Sequence, residues 1–234
     1  MNKFSPLAAV LFLASLLPSA YATTLGFGTL GAQRTLVDAS LNQLAADPTS
    51  LVLEGTFASE SFTFNPNLSI LANYNSIVAA GGWNQFGLNT STGLQDPGVT
   101  TNLGVNASGH LSGSVTDNNS GATEANFFNN KPVYVWVFNG SSPSASTQMG
   151  IFRAPSATTP WTFPSNGNGV GDTATLSTTP TNAAVISAIG GAGSTNSSQL
   201  ILAAVTPVPE PSTFAFGVLG AFAALCSRQR RRKS

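Results

Sequence analysis

The chain is short of charge. Only 8% of its 234 residues are Asp, Glu, Lys or Arg, against about 25% in an ordinary soluble domain. An all-helical bundle is thereby excluded, because its exposed faces are built from those residues. The chain has one cysteine, Cys226, and one histidine, His110. A disulfide framework and a cysteine nucleophile in the body are excluded by the first scarcity, and the usual His/Cys zinc sets by both. The formal net charge is zero, and no basic patch exists outside the last seven residues, which excludes a nucleic-acid binder. No uncharged apolar run reaches the roughly 20 residues of a full bilayer span. No cofactor is expected.

What remains is a polar, turn-rich chain with a substantial core. Gly 23 and Pro 14 accompany abundant Ser, Thr and Asn, while 42% of the residues are hydrophobic. That apolar fraction excludes disorder. Between Thr23 and Pro207 the bases are Arg34, Lys131 and Arg153. Eight acids share the same stretch: Asp38, Asp47, Glu54, Glu60, Asp96, Asp117, Glu124 and Asp172. The interior is mildly acidic and solvated mainly by uncharged groups. The other six bases lie at the two ends.

Residues 1–22 have the order of a secretion signal: Lys3, an apolar core from Leu7 to Leu17, the breaker Pro18, and the small-x-small triplet Ala20-Tyr21-Ala22. This order predicts cleavage by signal peptidase between Ala22 and Thr23. At the other end, Pro209-Glu210-Pro211 precedes an uncharged stretch, Thr213 to Ser227, and a basic run of Arg228, Arg230, Arg231, Arg232 and Lys233. The prolines uncouple the tail from the body. As a helix the uncharged stretch is about 22 Å long, short for a permanent span. The basic run is predicted to stay on the cytoplasmic side.

Those three parts in order resemble the PEP-CTERM sorting signal of Gram-negative bacteria, over residues 207–234. The resemblance implies that exosortase, a membrane-embedded cysteine transpeptidase-like enzyme, cuts near Pro209, Glu210 and Pro211. The protein would then pass from the inner membrane to the cell surface or its polysaccharide matrix. The series Leu53-Glu54-Gly55-Thr56-Phe57, Gly82-Trp83, Val135-Trp136-Val137-Phe138-Asn139 and Ile151-Phe152-Arg153 is also similar to the interior of many exported PEP-CTERM proteins, which favours one domain over two.

The body, residues 23–206, reads as mainly β, a single β-sandwich-like domain with short helices. Strands are predicted at Leu51–Phe57, Ser61–Phe64, Val133–Phe138, Met149–Phe152 and Leu200–Val205, from apolar and β-branched runs closed by Asn, Gly and Pro. Val133–Phe138 is apolar on both faces and should be central. Short helices are predicted at Val37–Ala45 and Asn182–Ile189.

No residue is assigned a catalytic role. His110 has no nucleophile elbow beside it. Glu54 and Glu60 are close in sequence but read as solvated strand-edge acids, because adjacency does not place two carboxylates across a cleft. The Asn/Gly/Asp turns at 117–121 and 166–172 lack EF-hand spacing. No metal site is expected. Six N-x-Ser/Thr triplets occur, as chance allows in a chain this rich in those residues, and none is assigned. Trp83 and Trp161, in Gly- or Pro-flanked loops, are the candidates for stacking on a sugar ring. The expectation is a non-enzymatic surface or matrix protein, structural, adhesive or associated with extracellular polysaccharide. The alternative is a secreted hydrolase using a carboxylate such as Glu54 or Glu60.

Overall fold

The structure is a computed structural model. It describes residues 23–27, 33–88, 100–117, 128–154, 161–164, 172–178, 186–189 and 198–206. Residues 1–22, read as a signal segment, and residues 207–234 lie outside the described residues.

The elements follow in chain order. β1 is Thr23–Phe27, β2 Thr35–Val37 and β3 Leu51–Phe57; helix α1 spans Ile70–Gly81. Then come β4 (Trp83–Gln85), β5 (Thr100–Thr101), β6 (Gly104–Val105), β7 (Leu111–Asp117) and β8 (Tyr134–Phe138). The last are β9 (Gln148–Arg153), β10 (Asp172–Leu176), β11 (Ile186–Ile189), β12 (Gln199–Ile201) and β13 (Ala203–Ala204). The chain is mainly β, as its composition predicts.

One sheet has the order β10-β1-β7-β5, with β6 also on β7; the other has β11-β9-β8-β3-β4, with β13 also on β9. β2 and β12 form a separate parallel pair. Alternation along the central strands sorts side chains between two cores. Val133, Val135 and Val137 join Val52 and Phe152 in one cluster with Leu25, Phe27, Leu111, Val115 and Leu176 of the first sheet. Tyr134, Trp136 and Phe138 join Met149 and Ile151 in a second cluster with Ile70 and Ile77 of α1. The six-stranded sheet is therefore a middle layer between the other sheet and the helix. β8 is buried at every position, which is why it reads as apolar on both faces.

Helix α1 is absent from the sequence expectation, yet its caps are complete. The Ser69 hydroxyl accepts from the Ala72 N–H at 3.2 Å. Gly82, at φ 59°, ends the helix in the left-handed region and donates its N–H to the Val78 carbonyl. Buried Asn73 secures the entry loop: its Oδ1 accepts from the Asn65 N–H at 2.8 Å, and its Nδ2 donates to the Asn65, Leu68 and Ser69 carbonyls.

Four local expectations are corrected. No helix forms over Val37–Ala45, because the Asp38 carboxylate captures the Ser40 and Asn42 amides and folds the chain into a turn with Leu41 at φ 68°. Gln43 then bridges back to Val37. Ile186–Ile189 is a strand antiparallel to β9 rather than the end of a helix, and residues 182–185 lie outside the described ones. Ser61–Phe64 is not a strand; Phe62 instead packs on Phe57 with ring centroids 4.4 Å apart. Leu200–Val205 divides into β12 and β13, with Leu202 between them donating its N–H to the Val37 carbonyl.

Candidate functional site

Glu54 is the most unusual side chain among the described residues. It lies in β3 in phase with Val52 and Thr56, on the face between the two sheets, and is 2% exposed. Neither carboxylate oxygen has a hydrogen-bond partner. Removal from water alone pushes its pKa up to about 8. The expectation of a solvated strand-edge acid is thus corrected. β3 is an interior strand whose other face carries Leu51 and Leu53, and the carboxylate oxygens of Glu54 are themselves out of contact with water.

Beside the first half of β3 is a cavity of about 330 Å³, lined by Asp47, Val52, Glu54, Phe86, Leu103 and Val115 among others, with no Lys or Arg in its wall. Asp47, exposed where Glu54 is buried, shares this cavity without any motif marking it in the sequence. The Glu54 oxygens are shielded from water by the surrounding side chains.

Glu60 is elsewhere. Its Oε1 accepts from Arg153 Nη1 at 2.7 Å and from the Tyr134 hydroxyl. Burial, together with the Glu60 carboxylate, raises the Tyr134 phenol. Tyr134 belongs to the helix-side cluster, whereas Glu54 is on the opposite face of the same sheet. The two acids cannot flank one glycosidic bond. His110 has a different neighbour again: its Nε2 is 3.4 Å from the Thr35 hydroxyl. Among the described residues, no group of three His, Cys, Asp or Glu is placed to hold a metal.

The tryptophans are corrected in part. Trp161 is 3% exposed. Its ring meets Phe27 edge-on at 5.3 Å, and its indole N–H donates to the Ser177 carbonyl. No face is left for a sugar. Trp83 is half-buried: a side chain added at Gly55 would meet its ring at 2.8 Å, and Phe57 and Trp136 pack beside it.

The calcium-type turns at 118–121 and 166–171 lie outside the described residues, as do Ala20, Ala22, Pro209, Glu210, Pro211 and the basic run from Arg228 to Lys233. β1 begins at Thr23, the residue expected to follow the signal cleavage. At the other end Val205 donates its N–H to the Thr147 carbonyl at 3.2 Å, and Thr206 donates to the Pro66 carbonyl at 2.8 Å. The body is held by hydrogen bonds up to the last residue before Pro207.

No curated protein and no solved structure matches the chain. One family does: residues 207–232 match the PEP-CTERM protein-sorting motif. The residues that precede this match end on the Thr206 hydrogen bond, and the match covers the Pro-Glu-Pro triplet, the uncharged stretch and most of the basic run. The chain carries a PEP-CTERM sorting motif at residues 207–232, which implies an exported protein targeted to exosortase, with a cell-surface or envelope-associated location.

Proposed function

We propose that residues 23–206 form one domain that acts at the cell surface or in its matrix without turnover, in a structural, adhesive or polysaccharide-associated role. The sorting match at residues 207–232 carries the reading, since it gives the chain a destination. Signal peptidase would free Thr23, the inner membrane would hold the precursor by the 213–227 stretch, and exosortase would cut near Pro209–Pro211. Two observations favour an inert body. Glu54 and Glu60 are on opposite faces of a sheet, and the Glu54 oxygens are shielded from anything in the cavity.

One observation favours the hydrolase alternative. Glu54 stays protonated at neutral pH, as a general acid must, and Asp47 lines the same cavity. The deciding experiment incubates purified residues 23–206 with insoluble extracellular polysaccharide and measures both co-sedimentation and released reducing sugar. Binding without sugar release is expected. Release that disappears in Glu54→Gln would replace this reading with the alternative. Mass spectrometry of the surface fraction checks the delivery step. The expected species starts at Thr23 and lacks the Arg-rich end, whereas chain that still ends at Ser234 would refute processing.

A further inference from the structure

The two ends of the body differ in chemistry, and the tail leaves from one of them. β3 runs from Leu51 to Phe57, β8 returns from Tyr134 to Phe138 beside it, and β9 runs from Gln148 to Arg153. Helix α1 runs in the same sense as β3, because the Ser59 N–H past the end of β3 donates to the Gly81 carbonyl. One end of the body therefore carries Ser59–Ser61, Lys131 and Arg153, including the Glu60–Arg153 ion pair. The other end carries the turn Asp38–Asn42, the loop Asn65–Leu71, the segment Gly140–Gln148, and Val205–Thr206.

This second end is where Thr206 is held to Pro66 and Val205 to Thr147. It is also where the large apolar side chains left exposed among the described residues are found: Leu41 at 56%, Leu68 at 42% and Leu71 at 42%. Leu68 is two residues past Pro66. Leu41 belongs to the turn whose Ala39 N–H donates to Gln148 Oε1 at 2.6 Å, and Gln148 pairs with Ala204. The leucines thus flank the chain's exit on two sides. No Asp, Glu, Lys or Arg occurs from residue 61 to residue 95 or from 139 to 148. The one acid in these loops, Asp38, accepts from the Ser40 and Asn42 amides and from Asn42 Nδ2.

We infer that Leu41, Leu68 and Leu71 form a docking surface for the outer leaflet of the inner membrane, used while the tail still tethers the precursor. The inference rests on the sorting reading above, with the stretch 213–227 in the bilayer. Residues 207–212 join Thr206 to that stretch and reach at most about 25 Å. A body of this size is roughly 40 Å across. The tether is shorter than the body, so the end that carries Thr206 faces the lipid. Leucines set among Asn, Ser, Thr and Pro suit the headgroup boundary, where apolar tips insert shallowly and amides stay solvated. The contact is weak in isolation and effective because the tether keeps the surface close to the bilayer. Asn73 keeps the Leu68 loop in its shape through four hydrogen bonds. With no cation on the surface, docking does not depend on anionic lipid.

The test uses the chain with its tail, carrying Cys226→Ser, in vesicles of phosphatidylethanolamine and phosphatidylglycerol. An environment-sensitive nitrobenzoxadiazole is attached at Asn67→Cys or, at the opposite end, at Ser61→Cys. The expected result is blue-shifted emission at position 67, quenched by headgroup-level nitroxide lipid, with neither effect at 61. The triple variant Leu41→Ser, Leu68→Ser, Leu71→Ser, all at exposed positions, should lose the shift and the quenching while still floating with the vesicles. Equal signals at 67 and 61 in floating protein, or undiminished quenching in the triple variant, would overturn docking and leave the tail reading intact. Quenching at 67 that vanishes when exosortase is added, with cross-linking of that position to the enzyme, would reassign the surface to the enzyme. Chain that does not float at all would refute the tail reading and the docking together.

Discussion

Replacing Glu54 by Gln tests the most exceptional interior group. Burial raises the carboxyl from an ordinary 4.5 to about 8 in the folded body. A group whose folded pKa is raised favours the folded state fully below the unfolded value, and that contribution is lost as pH rises toward the folded value. The window here is pH 4.5 to 8. At 1.36 kcal/mol per unit, the loss across it is about 3–5 kcal/mol. That is a large share of a typical total of about 5–15 kcal/mol. The Gln variant has nothing to ionise. It should match the native body near pH 5, where both side chains are neutral and lack a partner, and exceed it by most of that difference at pH 9. Urea unfolding of residues 23–206, followed by tryptophan fluorescence at pH 5, 7 and 9, measures this directly. Parallel curves for the two proteins across the whole range would show that the carboxyl ionises without penalty, and the buried, unpartnered position would be refuted.

Three further outcomes follow from particular contacts. Trp161→Ala should cost about 3–5 kcal/mol through the cavity it opens against Phe27, with no effect on polysaccharide co-sedimentation beyond that of unfolding; loss of binding in a fully folded variant would return Trp161 to the surface. Gly55→Ala should cost about 1–3 kcal/mol in a urea titration, because the new Cβ would meet the Asn84 carbonyl at 2.3 Å and the Trp83 ring at 2.8 Å; a neutral result would mean Trp83 does not lie on this glycine. For Asp38, burial pushes the pKa up, but the hydrogen bonds from Asn42 and Ser40 outweigh it and leave the value lowered. Its contribution is present at neutral pH and lost as pH falls through that lowered value, so Asp38→Asn should flatten the acid limb of the stability curve, and an unchanged limb would refute the capture of those amides.

The β character and the central strands were legible because their signal is local. Val133 to Phe138 carries large apolar groups in both phases, which only an interior strand can bury. Helix α1 was legible in principle: apolar Ile70, Leu71, Tyr74, Ile77 and Val78 follow a helical period. Its Asn, Ser and β-branched content disguised it, being poor in the residues that favour helix. The opposite failure occurred at Val37–Ala45, where Asp38 offered its carboxylate to two backbone amides and so replaced a helix with a turn. Glu54 shows a different limit. Its neighbours Leu51, Val52 and Leu53 mark a strand buried on both faces, so the carboxylate's burial could be read from phase alone. That Asp47 shares its cavity could not, because that juxtaposition arises from β3 meeting the β6–β7 region through tertiary packing. Trp161 misled for a related reason: the flanking Pro160 and Pro164 mark a loop, but its ring packs edge-on against Phe27.

On the proposed export route, the pairing of the strands also orders folding in time. β1, the first strand after the expected signal cleavage, pairs with β7 and in parallel with β10, whose residues are 172–176. β2 pairs with β12 at residues 199–201. Neither early strand has all its neighbours until nearly the whole body has crossed the membrane, and such distant pairings form slowly because loop closure must come first. The uncharged stretch begins at residue 213, after β12 at Gln199–Ile201 and β13 at Ala203–Ala204. The basic run that follows resists transfer, each charge costing about 2.5–3.5 kcal/mol at the bilayer centre. On the proposed sorting reading, translocation would slow just as the last strands become available outside. The sheets could then close while the tail still held the chain, and under the proposed docking the folded end beside Thr206 would be the part nearest the bilayer surface. A cut near Pro209–Pro211 before that closure would release a chain whose β1 and β2 lacked partners. The same cut after closure would release a body held by hydrogen bonds up to Thr206. The sequence order, with the sorting triplet at Pro209–Pro211 shortly after Thr206, the last of the described residues, suits the second case.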